Sequence, residues 1–247
     1  MTPPRGSEQR VTLVTGGARR VGAAIVHSFA ARGDAVAIHH GSSPEAAEAL
    51  AVSLRAEGTP VVVVQADLAD AESPGRIIHD VMNAFGRLDV VVSSASVMTR
   101  HAFDAVTPAE WEEVESINLR APFFLMQAAA RVMPDGGSIV QISDHLAFEA
   151  TFPDLIPHQV TKFALTQLVR TVAAALAPRI RVNAVAPGLV LPPDAMSDGV
   201  VQRFLKDVPL GRAGDPADVV RAIHYLVDAP YVTGVTLQVD GGRHLWR

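Results

Sequence analysis

The 247-residue sequence contains no cysteine, which excludes disulfides and thiolate metal sites and fits a reducing compartment. It has no apolar run near 18 residues, so no spanning helix is expected. It has no excess of basic residues either. Lys and Arg number 21 against 26 Asp and Glu, the formal net charge is −5, and the cations are scattered. Neither a nucleic-acid track nor a basic membrane face is expected from such a pattern. The first ten residues, MTPPRGSEQR, lack the apolar core of a secretory signal, so a cytoplasmic protein is the expectation. Small molecules and further copies of the same chain are the expected partners.

Neither a linker nor an internal repeat interrupts the chain. Past the polar tail at 1–10, apolar runs rich in Val and Ile alternate with helical stretches: RVTLVT, RVGAAIVHSFAARG, DAVAIHH, PEAAEALAVSLRAEG, PVVVVQAD, SPGRIIHDVMNAFGR, LDVVVSSAS, a long helix over 108–133, and GSIVQIS. The order continues through RIRVNAVAPG, helices from about 200 and 216, and a last strand VTLQVDGG. Runs that are continuously apolar, and not alternating, belong to parallel strands covered on both faces. The pattern predicts an α/β fold: one doubly wound Rossmann-type domain over 11–247, with about seven parallel strands and helices on both faces. Ligands are then expected outside the carboxyl ends of the strands.

Directly after the first strand comes Thr15-Gly16-Gly17-Ala18-Arg19-Arg20-Val21-Gly22, running into a helix. Glycines there let a phosphate approach the backbone, and the helix N-terminus offers free N–H groups; a bare strand-to-helix turn is the alternative. The second strand ends His39-His40-Gly41-Ser42-Ser43, without the acidic residue that would accept from an NAD ribose. Arg19, Ser42 and Ser43 can instead hold a 2′-phosphate, so NADP(H) is the expected cofactor. His39 and His40 point to opposite faces of a strand, and no metal site is expected. Asp67, before Leu68, can accept from an adenine amino group or serve as a turn or cap residue. Further on, PHQVTK opens an amphipathic helix and stacks His158 and Lys162 about one turn apart on one face.

These residues resemble the short-chain dehydrogenase/reductase family over nearly the whole chain. The matching motifs are the glycine turn, Asp67-Leu68, Ser93-Ser94-Ala95-Ser96, Asn118 in Ile117-Asn118-Leu119, Lys162, Pro187-Gly188 and Val239-Asp240-Gly241-Gly242. An arginine at 20 where the family has glycine, a second strand ending at His39, and aspartate at 144 in place of serine resemble the pteridine and dihydromonapterin reductase branch. The resemblance implies cofactor contacts at Gly16, Arg19, Arg20, Val21, Gly22, His39, Ser42, Ser43, Asp67, Leu68, Ala95, Lys162, Pro187, Gly188 and Leu189. It implies substrate contacts at Arg20, Ser96, Met98, Asp144 and His158. It also implies catalytic roles for Asn118, Asp144, His158 and Lys162, with Lys162 on the nicotinamide ribose, Asn118 organising a helix and a water, and Asp144 in proton delivery. A homo-oligomer, tetramer or dimer, follows by resemblance only.

Three positions depart from the family. Its asparagine pair is Ser93-Ser94, the branch's pterin-stacking aromatic ring is replaced by Met98, and its catalytic tyrosine is His158. Imidazole starts from a pKa near 6.5 and not near 10. Lys162 and the helix N-terminus push it lower, while pairing with Asp144 pushes it higher, so the nearer neighbour decides whether His158 donates a proton. Either outcome suits a C=N bond, whose nitrogen is more basic than a ketone oxygen. The expected function is NADPH-dependent reduction of a dihydropterin or other cyclic imine. The alternatives are a ketone or β-ketoacyl reductase and a catalytically silent NADP(H)-binding protein. The stretch 189–206 is unpatterned and is expected to close the substrate pocket. His145 is expected in solvent, with a substrate contact as the alternative; Trp111, Phe123 and Phe124 are expected in core or oligomer packing.

Overall fold

The computed structural model describes residues 9–149, 152–192 and 196–246. Seven strands form: β1 (Val11–Thr15), β2 (Ala35–His40), β3 (Val61–Gln65), β4 (Val90–Ser93), β5 (Gly137–Ile142), β6 (Ile180–Pro187) and β7 (Thr236–Val239). All pair in parallel, in the order β3-β2-β1-β4-β5-β6-β7. Every residue of β1, β2 and β4 is buried, as runs without polar alternation require. The chain winds outward from β1 to β3 and then returns to place β4 on the other side of β1. That reversal opens a crevice at the carboxyl ends of β1 and β4.

Two helical layers cover the sheet. α1 (Arg20–Ala31), α2 (Pro44–Ala56) and α8 (Pro216–Asp228) bury Ile25, Phe29, Leu50, Leu54, Val219 and Leu226 against one face. α3 (Ser73–Phe85), α5 (Ala121–Val132) and α6 (Ile156–Leu176) bury Ile77, Val81, Leu125, Met126, Val169 and Ala173 against the other. A shorter α7 (Asp198–Leu205) lies in the stretch after β6. No helix among the described residues is long and apolar enough to cross a membrane.

Two expectations need correction. The helix expected over 108–133 is in fact α4 (Pro108–Glu115), a π-helical turn at Ser116–Arg120, and α5. Helical and π-helical turns differ by one residue, and the apolar spacing here suits both, so the sequence could not separate them. The polar tail expected at 1–10 also ends earlier. Gln9 donates to Gly33 O, and Arg10 pairs with the buried Asp34 carboxylate at 2.9 Å, so both belong to the domain. Residues 1–8 of that tail lie outside the described residues.

Candidate active site

At the end of β1 the chain turns sharply into α1. Gly16 adopts φ +63, where side chains are strained, and a Cβ on it would sit 2.8 Å from Ala95 Cα. A Cβ on Gly22 would meet Gly16 O at 2.0 Å. Both glycines are therefore needed for the loop to lie flat beneath a ligand. The first turn of α1 has no side-chain cap and no acidic residue, so its N–H groups face the crevice unneutralised. Arg20 also has positive φ (52) without being glycine, and its guanidinium donates to the carbonyl of Leu191, whose φ is 49. The site where the family carries glycine is thus one where glycine is conformationally preferred.

The crevice is a cleft of about 800 Å³ running from Ser42 and Ser43, past the glycine turn, to Lys162 and His158. His39 forms its wall more than its surface. It is buried, accepts from Gly16 N–H through Nδ1 (3.4 Å) and donates to Ala66 O through Nε2 (3.0 Å). Burial lowers its pKa to about 4, so the ring stays neutral and ties β1 to β3. Asp67 accepts from Ala69 N–H (2.9 Å) with one carboxylate oxygen, a turn role, and its side chain also lines the cleft. Arg19 and Ser42 are exposed at the rim. This surface suits a dinucleotide carrying a 2′-phosphate: a close-approach glycine turn, an uncapped helix N-terminus, and cation and hydroxyls where a carboxylate would repel.

At the other end four elements converge. The π-helical turn carries Asn118, fully buried, whose Oδ1 accepts from Val97 N–H (2.9 Å) and Ser96 Oγ (3.0 Å). Its Nδ2 donates to Val97 O (2.9 Å). The same Val97 carbonyl lies 3.0 Å from His158 Nδ1. A carbonyl only accepts, so Nδ1 carries a proton. His158 Nε2 then faces Asp144 Oδ2 at 3.3 Å. Of the two neighbours that compete for His158, Asp144 is in contact, while Lys162 Nζ donates to Ile142 O (2.8 Å).

Burial opposes ionisation of Asp144, but the His145 and His158 rings outweigh it and hold the carboxyl well below the usual range. Lys162 is buried, which lowers its pKa to about 8 against the opposing pull of Asp144. The cluster therefore combines an ionised carboxylate, an imidazole with both nitrogens hydrogen-bonded, and a lysine with a depressed pKa. Groups of these kinds beside a cleft are suited to acid–base chemistry. Among the described residues, no three His, Asp or Glu side chains are grouped to hold a metal ion.

A family model described as enoyl-(acyl carrier protein) reductase matches residues 16–244. The chain belongs to the short-chain dehydrogenase/reductase family. It is 33% identical to the 3-oxoacyl-(acyl carrier protein) reductase of Staphylococcus aureus, over 94% of this chain and 97% of that protein. A blue fluorescent protein from a metagenomic library, solved in complex with NADPH, superposes with a TM-score of 0.90 and 34% identity, covering 95% of this chain and 97% of that one. The alternative dihydrofolate reductase 1 of Brucella canis, complexed with NADP, gives a TM-score of 0.88 and 34% identity over 96% and 94% of the two chains.

Most of the residues expected in this short-chain reductase's site line the one cleft, from Gly16 to Gly188, with Ser96, Met98, Asp144 and His158 at the substrate end. Two do not. Asn118 lies behind the cleft wall and acts on it through Val97. Leu189 lines a second cavity of about 480 Å³ with Phe204 and Leu245, while Gly188 and Val190 on either side of it line the cleft. His145 is not in solvent: it is buried, with Nδ1 2.9 Å from Asp144 Oδ1. Reading the sequence also missed the Val97 carbonyl, Glu149 and Arg243. Only a placement of β5 against the chain's last residues could have found the last two, which lie 94 positions apart.

Proposed function

We propose that this short-chain reductase reduces a C=N bond, in a dihydropterin or another cyclic imine, with proton delivery by the Asp144/His158 pair. NADPH, when bound, supplies the hydride to the imine carbon. The glycine turn with Arg19, Ser42 and Ser43 would hold its phosphates, Asp67 its adenine and Lys162 its nicotinamide ribose. The observation that carries the reading is His158, anchored on Val97 O by one nitrogen and 3.3 Å from the Asp144 carboxylate by the other.

The proton between Nε2 and Oδ2 is the one the substrate nitrogen takes as its C=N bond becomes C–N. Nδ1 keeps its proton on Val97 O, and Asp144 keeps the ring oriented throughout. An imine nitrogen is basic enough that a donor of imidazole strength suffices, whereas a ketone oxygen needs stronger assistance in the transition state. Met98, half-exposed at the cleft mouth, offers an apolar, polarisable cover for a flat ring. The likeness to the B. canis dihydrofolate reductase supports this reading, since dihydrofolate carries such a C=N bond.

The S. aureus relative supports a second one, reduction of a 3-oxoacyl carbonyl. Steady-state NADPH oxidation with 7,8-dihydrobiopterin, dihydrofolate, simple cyclic imines and 3-oxoacyl thioesters separates the two. Turnover of an imine is the expected result. Turnover of the thioester with none of the imines would replace the proposal by the second reading. His158→Tyr should open ketone activity if the site is specialised.

A further inference from the structure

His145 is buried beside the site and the scheme above gives it no task. Its Nδ1 lies 2.9 Å from Asp144 Oδ1 and 3.2 Å from Pro187 O. Both are acceptors, so Nδ1 carries a proton directed at them. Asp144 Oδ1 also accepts from Leu146 N–H at 2.9 Å, which leaves Oδ2 for His158. The carboxylate is thus held between two imidazoles, one on each oxygen.

The ring of His145 is itself held from behind. Its Nε2 is buried and makes no hydrogen bond; Glu149 Oε1 lies 3.8 Å away, close enough only for charge attraction, and Glu149 is bracketed by Arg243 at 2.9 and 3.3 Å, both side chains being almost wholly buried. Arg243 stacks over the Phe204 ring at 3.8 Å, and His145 meets the same ring edge-on at 5.6 Å. Burying the charge pair is costly, and together with the partly buried Phe204 ring it packs against His145. The charged groups facing Asp144 are His145 from the turn after β5 and His158 and Lys162 from α6; Glu149, Arg243 and Asp207 stand behind His145.

We propose that His145 is a positioning residue for proton delivery: its Nδ1–H fixes the Asp144 carboxylate opposite His158, and the Glu149–Arg243 pair keeps its ring in place. This rests on the reading of Asp144 and His158 as the proton-delivering pair. Two variants test it. His145→Asn places an amide N–H near the position of Nδ1, and His145→Leu removes the donor while keeping bulk.

Two measurements read the variants: ¹³C NMR titration of the Asp144 carboxyl in the protein alone, and the pH profile of kcat with the best imine substrate. In His145→Leu the Asp144 titration should move up toward the ordinary carboxylate range. Its kcat should fall about 10-fold or more with a displaced pH profile and unchanged NADPH affinity. His145→Asn should restore both. A His145→Leu protein whose Asp144 titration and pH profile match wild type, with only a lower Tm, overturns the proposal. A moved titration with an unmoved pH profile, in an enzyme that turns over, overturns it as well. If wild type reduces no imine, the imine reading fails, while the carboxyl titration still decides whether His145 controls Asp144.

Discussion

Two buried side chains, His158 and Lys162, are central to the proposed chemistry and each carries a separable consequence. His158→Leu removes the donor that Val97 and Asp144 orient, and imine turnover should fall by about 10² to 10⁴-fold. NADPH affinity should hold, because His158 touches the substrate end of the cleft only; fluorescence titration of the variant checks this. Lys162 gives a stability test. Its pKa of about 8 in the folded protein lies below the 10.5 of a free lysine, so between those values the unfolded chain binds more protons. Stability from this group therefore rises with pH across that window, and below it the burial cost is present in full. Lys162→Met should raise Tm at pH 7, by on the order of 2 kcal/mol of stability, and the gain should shrink toward pH 10. A gain independent of pH would mean that charge burial is not its source. Lys162 is thus held at a cost to the fold. His158 and Lys162 were legible in the sequence because helical spacing alone puts them on one face. The sequence named both Asp144 and Lys162 as neighbours of His158 but left open which one touches it, since that depends on how β5 brings Asp144 across the fold.

The same division holds for elements. The parallel strands and the glycine turn could be read locally, because buried parallel strands are continuously apolar and a close-approach turn must be glycine. Gly22→Ala tests the turn: its Cβ would overlap Gly16 O, and the variant should lose about 3 kcal/mol or more by chemical denaturation, together with NADPH binding. The π-helical turn at Ser116–Arg120 was invisible in the sequence, because no residue type marks it. Its purpose is visible in Asn118, which the extra residue aims at the 96–97 segment instead of along the helix face. Asn118→Leu leaves Val97 N–H and O without that partner, so a loss of about 2 to 3 kcal/mol is expected. A fall in kcat should accompany it, since the Val97 carbonyl that orients His158 loosens. A variant with reduced Tm and wild-type kcat would separate the two effects and assign Asn118 to the fold alone.

Over the whole molecule, the outer surfaces of α4, α5 and α6 expose Trp111, Phe123, Phe124, Val160 and Phe163. The sequence allowed these rings core or oligomer packing, and their exposure in a single chain favours the second. Self-association across these helices is expected: Phe163→Glu should shift the mass measured by light scattering to that of one chain, while Tm falls only modestly. What sequence reading could not supply at this scale was long-range pairing, because residues 94 apart leave no mark on each other's neighbours. The buried pair of Glu149 and Arg243 is the clearest case, and it bears on how the protein is made. β1, β2 and β3 are synthesised first and bring the glycine turn, His39 and Asp67, whereas Ala95, Lys162, Pro187 and Gly188 of the same cleft follow later. The buried pairing of Glu149 behind His145 with Arg243 forms only once Arg243 has left the ribosome and docked. The proton-handling end should therefore be the last part of the cleft to be set during synthesis.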